Sequence, residues 1–166
     1  MLIVLSGLPG VGKTTIAREL ARTIGATHVR IDSIEQALRQ DGIRVEGEGY
    51  RIAHAIAEDN LRLGRTVVAD CVNPWPLTRA EWRDVAARAG VRALDVEVVC
   101  SDGAEHRRRV ERRSADIAGH RLPTWSEVEA RDYRPWLEAR VVVDTSRVDL
   151  PQSVRLIVEA MSAAPL

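Results

Sequence analysis

The chain has 166 residues, with 24 Lys and Arg against 24 Asp and Glu, and its formal net charge is +0 at pH 7. That balance excludes a general electrostatic attraction to nucleic acid or to an acidic membrane, and 45% hydrophobic with 29% charged residues describes an ordinary globular chain long enough to bury one core. No apolar run approaches the length of a membrane span, no repeat or low-complexity stretch occurs, and one domain over 1–166 is expected.

The first element is the apolar run Met1–Ser6, of strand length, and it leads into Gly7-Leu8-Pro9-Gly10-Val11-Gly12-Lys13-Thr14-Thr15. This matches G-x-x-x-x-G-K-[ST], the phosphate-binding loop pattern. Glycines at 7, 10 and 12 permit backbone conformations closed to other residues, so successive N–H groups can turn inward around an anion. A helix opening near Lys13 points its positive end at the same place, and Ile16, Ala17, Leu20, Ala21 and Ile24 supply its buried stripe. Lys13 is expected to reach the β- and γ-phosphates and Thr14 to ligate Mg²⁺. Lys13 is also the sole lysine of an arginine-rich chain, kept where a compact ammonium on a flexible stem suits the site.

A second strand is expected over Thr27–Ile31, ending in Asp32-Ser33 before a helix through Ile34, Ala37 and Leu38. Asp32 would then stand at the carboxyl end of a strand, beside the phosphate loop, either as an active carboxylate or as a helix cap, a task Ser33 can perform alone. Asp41–Gly49 reads as a loop, a connector or a substrate contact, and Tyr50–Leu63 as a helix burying Ile52, Ile56 and Leu63. The strand Thr66–Asp70 closes an apolar run on a carboxylate suited to holding Mg²⁺, and Asn73 just beyond is expected to contact substrate. Pro74 and Pro76 launch a helix in which Trp82, Val85, Ala86 and Ala89 have core spacing, so Trp82 reads as packing.

Ala93–Cys100 is the fourth strand, and Ser101-Asp102-Gly103 turn it into an arginine-rich helix, Ala104–Ser114. Arg109 and Arg113 share a face, and five arginines against two glutamates leave an excess of charge available to close over a phosphate. Ala115–Pro123 reads as a flexible tip. Thr124 and Glu127 form a capping box for a helix to about Arg134, Val141–Asp144 is the fifth strand, and Pro151 opens a last helix packing Val154, Ile157, Val158 and Met161. Cys71 and Cys100 lie in or beside apolar runs without a partner Cys or His at ligand spacing, so they read as buried reduced thiols; with no leader-like segment, the expected setting is cytoplasmic.

Strands alternating with helices imply an α/β fold, a parallel sheet with helices on both faces. Gly7–Thr14, Asp32, Asp70–Asn73, Ser101 and Asp144–Ser146 then converge on one edge, a convergence that points to catalysis.

With these motifs in place, the chain resembles the small P-loop kinases of the nucleoside-monophosphate-kinase-like group over nearly its whole length, in pattern the polynucleotide kinase domain and chloramphenicol phosphotransferase-like kinases. The carrying residues are Gly7–Thr14, Asp32, Asp70-Cys71-Val72-Asn73 with Arg79 and Trp82, and Arg109 and Arg113 followed by Pro123-Thr124-Trp125. The resemblance implies a P-loop NTPase three-layer sandwich with sheet order 2-3-1-4-5, ATP with Mg²⁺ as donor, a mobile arginine lid over about 107–123, and Asp32 as general base toward a hydroxyl. Polynucleotide and adenylylsulfate kinases commonly carry Asp-x-x-Arg at the second position, whereas this chain has Asp32-Ser33-Ile34-Glu35, without the positive partner for an anionic acceptor. The expected activity is phosphorylation of a small-molecule hydroxyl from ATP, with Lys13, Arg109 and Arg113 stabilising charge, Thr14 and Asp70 holding the metal, and Asp32 and Asn73 contacting the acceptor. Alternatives at this stage are a polynucleotide or nucleoside 5′-hydroxyl kinase, a kinase acting on a sugar nucleotide, and a nucleotide-dependent binding or switch protein. The acceptor, the choice of ATP over GTP and the oligomeric state leave no signature in the sequence.

Overall fold

The apolar run ahead of the glycines becomes β1 (Leu2–Ser6), buried at every residue. In the computed structural model, which describes residues 1–163, β1 is the middle strand of a five-stranded sheet. Its companions are β2 (Thr27–Arg30), β3 (Val67–Asp70), β4 (Ala93–Val99) and β5 (Val141–Asp144), in the spatial order β2-β3-β1-β4-β5 and paired in parallel throughout. The helices are α1 (Lys13–Ile24), α2 (Ile31–Gln40), α3 (Glu48–Arg62), α4 (Pro76–Arg88), α5 (Gly103–Arg112), α6 (Trp125–Glu129) and α7 (Leu150–Ser162). The expected strand order is therefore the observed one. Among the described residues no helix is long and apolar enough to cross a membrane.

The two-residue period of β1 divides the core. Ile3 and Leu5 face one layer, with Ile16, Leu20, Val154 and Ile157 from α1 and α7. Leu2 and Val4 face the other, with Ala53, Ala57, Leu61, Trp82 and Val85 from α3 and α4. Trp82 is fully buried, as its spacing implied. Both cysteines are buried free thiols.

Three elements differ from expectation. The buried stripe of α3 is Gly49, Ala53, Ala57 and Leu61, while Ile52, Ile56 and the 78% exposed Leu63 face outward. Small residues one turn apart let this helix lie close to the sheet and to α2, and that close approach outweighs the size of the isoleucines; a Cβ on Gly49 would sit 2.4 Å from Glu35 Cγ. The second helix starts at Ile31, so Asp32 and Ser33 lie in its first turn and neither caps it. Finally, α6 ends at Glu129 instead of about Arg134, although its Thr124–Glu127 capping box is present.

Arg79 on α4 is fully buried without a carboxylate partner. Its Nε donates to Asn73 O at 3.2 Å, Nη1 to Pro135 O at 3.1 Å, and Nη2 to Arg134 O at 2.6 Å and Pro74 O at 3.2 Å. Its guanidinium carbon lies 4.0 Å from the centroid of Trp136. One side chain thus joins the loop after β3 to the segment before β5, satisfying carbonyls that would otherwise be buried alone. Arg79→Ala is expected to lower unfolding stability by about 3–5 kcal/mol in urea titration, the cost of orphaning several buried acceptors and losing the stacked guanidinium.

Candidate active site

The phosphate loop is held by its carbonyls. Lys13 Nζ donates to Leu8 O at 2.8 Å, His106 Nε2 meets Pro9 O at 2.9 Å, and the Thr145 hydroxyl donates to Val11 O at 2.8 Å. Fixing these three carbonyls holds the loop backbone in place. Gly7, Gly10 and Gly12 all have positive φ, as the motif requires. Two are also short of space: a Cβ on Gly7 would lie 2.2 Å from Val98 O, and one on Gly10 would lie 2.5 Å from Val110 Cγ2. His106, which the sequence does not single out, is a buried ring on α5 set edge-on against Trp125 with centroids 5.1 Å apart. A histidine on the apolar face of an otherwise charged helix is the one signal that could have pointed to it.

Register brings the charged groups together at the carboxyl edge. Asp70 pairs with Leu5 on one side and with Arg30 on the other. Arg30, absent from the sequence reading, is largely buried, with Nε 3.8 Å from Asp70 Oδ2 and Nη2 3.7 Å from Asp32 Oδ2. Burial by itself would raise the Asp70 carboxyl, but the His28 ring, the Lys13 ammonium and the Thr14 hydroxyl outweigh it and keep the group below its ordinary value. Asp70 Oδ2 is buried, 3.5 Å from His28 Nε2, and has no hydrogen-bond partner among the described residues. Burial pushes Lys13 down, against the opposing charges of Asp70 and Asp32. The Asp32 carboxylate, 44% exposed, opens onto the same crevice.

The two lid arginines have different surroundings. Arg109 is tied down on the β5 side: Nε donates to Glu105 at 2.7 Å and Nη1 to the Thr145 hydroxyl at 2.8 Å. Arg113, the residue that ends α5, has buried Nε and Nη2 atoms with no partner among the described residues, and burial lowers its pKa while Asp32 opposes the shift. Beyond it the strap 114–123 lies folded across α2. Asp116 accepts from Arg18 at 2.5 Å and from Arg30 at 2.8 and 3.1 Å, and Ala118 O accepts from Gln36 and Gln40, each at 3.2 Å.

Gly10, Gly12, Lys13, Thr14, Thr15, Asp32, Asp70, Arg109 and Arg113 all line one crevice of 1590 Å³, which also takes in Pro9 and Thr145. Leu8 and Val11 contribute to the loop through their anchored carbonyls. Asn73 is a correction. Its side chain is fully buried, donating from Nδ2 to Ser6 Oγ at 3.0 Å, and its N–H donates to Tyr50 Oη at 2.9 Å. With φ at 51° it serves the sharp turn after β3, and its side chain has no exposed surface to offer an acceptor.

A family model described as AAA domain matches residues 2–130. Among solved structures the chain is similar to the APS kinase CysC of Mycobacterium tuberculosis in complex with AMPPNP and APS, at 16% identity and a TM-score of 0.74, covering 98% of this chain and 97% of that one. It is similar to a sugar kinase from Janibacter sp. HTCC2649, at 20% identity and 0.72, covering 99% and 95%. A gluconokinase from Sinorhizobium meliloti 1021 matches at 21% identity and 0.64, covering 96% and 90%. What is shared at these identities is the fold, that of the small P-loop kinases.

The strap is held chiefly by Asp116, whose carboxyl the Arg30 guanidinium keeps well below the usual range. The folded value is depressed, so the clasp is complete above about pH 4, the unfolded value, and is lost as pH falls through the lower folded value. Asp116→Asn at neutral pH should release the strap and speed tryptic cleavage at Arg121 about fivefold, read by timed proteolysis and mass spectrometry.

Proposed function

The chain belongs to the AAA-domain family, and from that premise we propose that it is an ATP-dependent kinase that transfers the γ-phosphoryl group to a hydroxyl of a small molecule. The observation that carries this reading is the grouping of Lys13, Asp32 and Arg113, whose buried Nε and Nη2 have no partner among the described residues, around one crevice lined also by the strap. A nucleotide switch has no need of a carboxylate facing the phosphate cradle, whereas transfer to a hydroxyl does.

The residues suit Mg²⁺. Asp70 Oδ2, 3.5 Å from His28 Nε2 and 3.8 Å from Arg30 Nε, is a buried oxygen with no hydrogen-bond partner among the described residues, the Thr14 hydroxyl lies near this carboxylate, and hard oxygen ligands are what this ion takes. Thr14 and Asp70 would hold the ion, which when bound supplies charge neutralisation between the β- and γ-phosphates.

The loop N–H groups and Lys13 bind the phosphate chain, and Arg109 with Thr145 borders the nucleotide on the β5 side. Asp32 orients the acceptor hydroxyl. It takes the proton as the acceptor oxygen bonds to the γ-phosphorus and the bridging oxygen leaves with ADP. Lys13 and Arg113 stabilise the charge that spreads over the transferring group, in a site from which the strap excludes water. Arg30, close to both Asp32 and Asp70, helps to aim the Asp32 carboxylate.

Asp32→Asn is expected to lower transfer from γ-labelled ATP by about 10²–10⁴-fold while leaving Mg-ATP affinity within about twofold. Arg113→Ala should lower kcat by about 10²–10³-fold with little change in KM for ATP, and Lys13→Ala should lose both binding and transfer. Turnover of Asp32→Asn near that of the unmodified chain would remove Asp32 as the base.

A further inference from the structure

The strand order divides the crevice. Arg109, Thr145 and Ser153 line it on the β4–β5 side, while Asp32, Tyr50 and the residues after β3 line it on the β2–β3 side, which is left for the acceptor. That half has two properties that the phosphoryl chemistry does not use.

One is an apolar shelf. Trp75 is 47% exposed and Leu77 67% exposed, both at the start of α4 and both lining the crevice. The indole is nonetheless fixed: its Nε1–H donates to Asp132 Oδ2 at 3.0 Å, and Thr78 Oγ1 donates to the Trp75 carbonyl, also at 3.0 Å. A half-exposed aromatic ring held still at its edge is a platform that loses little freedom when a flat or ring-shaped ligand settles on it.

The other is the state of the charges. Arg39 is paired with Glu35 at 2.7 Å, Arg51 with Glu48 at 2.8 Å, Arg121 with Glu127 at 2.6 Å and Arg30 with Asp116 at 2.8 Å. Of the arginines on this wall only Arg131, exposed at the rim, is outside an ion pair among the described residues, and Arg113 belongs to the transferring group. His54, held near pH 4 by burial and by Arg88, and Tyr50, pushed up by burial, are both uncharged at neutral pH. Glu81, one turn beyond Leu77 on α4, also lines the crevice and has no ion pair or hydrogen bond among the described residues. An acceptor bearing phosphate, sulfate or carboxylate would meet an unmatched carboxylate at Glu81 and, apart from Arg131 at the rim, arginines already engaged in ion pairs.

We propose that the acceptor is a polyhydroxylated ring without anionic groups, neutral or amine-bearing, seated on Trp75 and Leu77 with its polar edge on Glu81. This rests on the kinase reading above. A neutral ring would give Glu81 hydroxyl donors, and an amine-bearing ring would give it a cation, so one shelf serves both.

The test is isothermal titration of the whole chain with Mg-AMPPNP present, run beside transfer from γ-labelled ATP. The neutral arm is glucose and myo-inositol, the amine arm glucosamine and 2-deoxystreptamine, and the anionic arm glucose 6-phosphate and gluconate. At least one neutral or amine compound is expected to bind and be labelled, with the anionic compounds about tenfold or more weaker. Trp75→Ala should weaken that compound about tenfold. Glu81→Gln should weaken an amine compound about tenfold and a neutral one by much less, which separates the two sources. Mg-AMPPNP affinity in both variants reports that the fold is kept. An anionic compound bound or labelled as well as its neutral parent, no binding by any compound, or binding indifferent to both substitutions overturns the assignment. Binding that depends on Trp75 and Glu81 without any labelling keeps the shelf and removes the kinase reading.

Discussion

Everything at this site depends on where three carbonyl groups point. The phosphate loop can offer its N–H groups to an anion only if the peptide oxygens between them face away, and oxygens that face away inside a protein need donors. Lys13, His106 and Thr145 supply them at Leu8, Pro9 and Val11. The three donors come from the loop's own helix, from α5 and from the end of β5, so the cradle exists only when distant parts of the chain have docked. The glycines make the conformation attainable, and the outside donors make it the conformation present.

The same docking sets the electrostatics. A parallel sheet in register puts Leu5, Asp70 and Arg30 side by side, one residue from each of three strands. Asp70 and Lys13 are both buried, and each partly offsets the penalty the other suffers from burial. Arg30 extends this arrangement outward to Asp32 and to Asp116 on the strap. The strap is therefore held by the same guanidinium that stands beside Asp32, so one side chain touches both the strap and that carboxylate.

How much was legible in advance varies with the range of the interaction. The glycine pattern, the strand runs that end in Asp70 and Asp144, and the Thr124–Glu127 box are local, and each appears as read. The face of α3 differs because the helical spacing of Ile52, Ile56 and Leu63 was taken as the guide, while a helix lying this close to its sheet turns its smallest residues inward. Asn73 was misread because a polar residue at a strand end resembles a ligand contact, yet here its amide donates to Ser6 Oγ in the turn. The buried Arg79 has no local signature, since what it satisfies are carbonyls 55 and 56 residues away in sequence at Arg134 and Pro135.

By itself the sequence determined a phosphate loop between a strand and a helix, an α/β chain, and carboxylates closing the third and fifth strands at Asp70 and Asp144. These follow from backbone freedom at glycine and from hydrophobic period, both properties of neighbouring residues. Only the tertiary structure decided that, among the described residues, the buried Nε and Nη2 of Arg113 have no partner, that Arg30 joins the carboxylates, that His106 anchors the loop, and that Trp75 on the β2–β3 side of the crevice is hydrogen-bonded to Asp132. The physical reason is that pairing, burial and field are sums over groups far apart in the chain, and those sums take a value only once folding has set the distances.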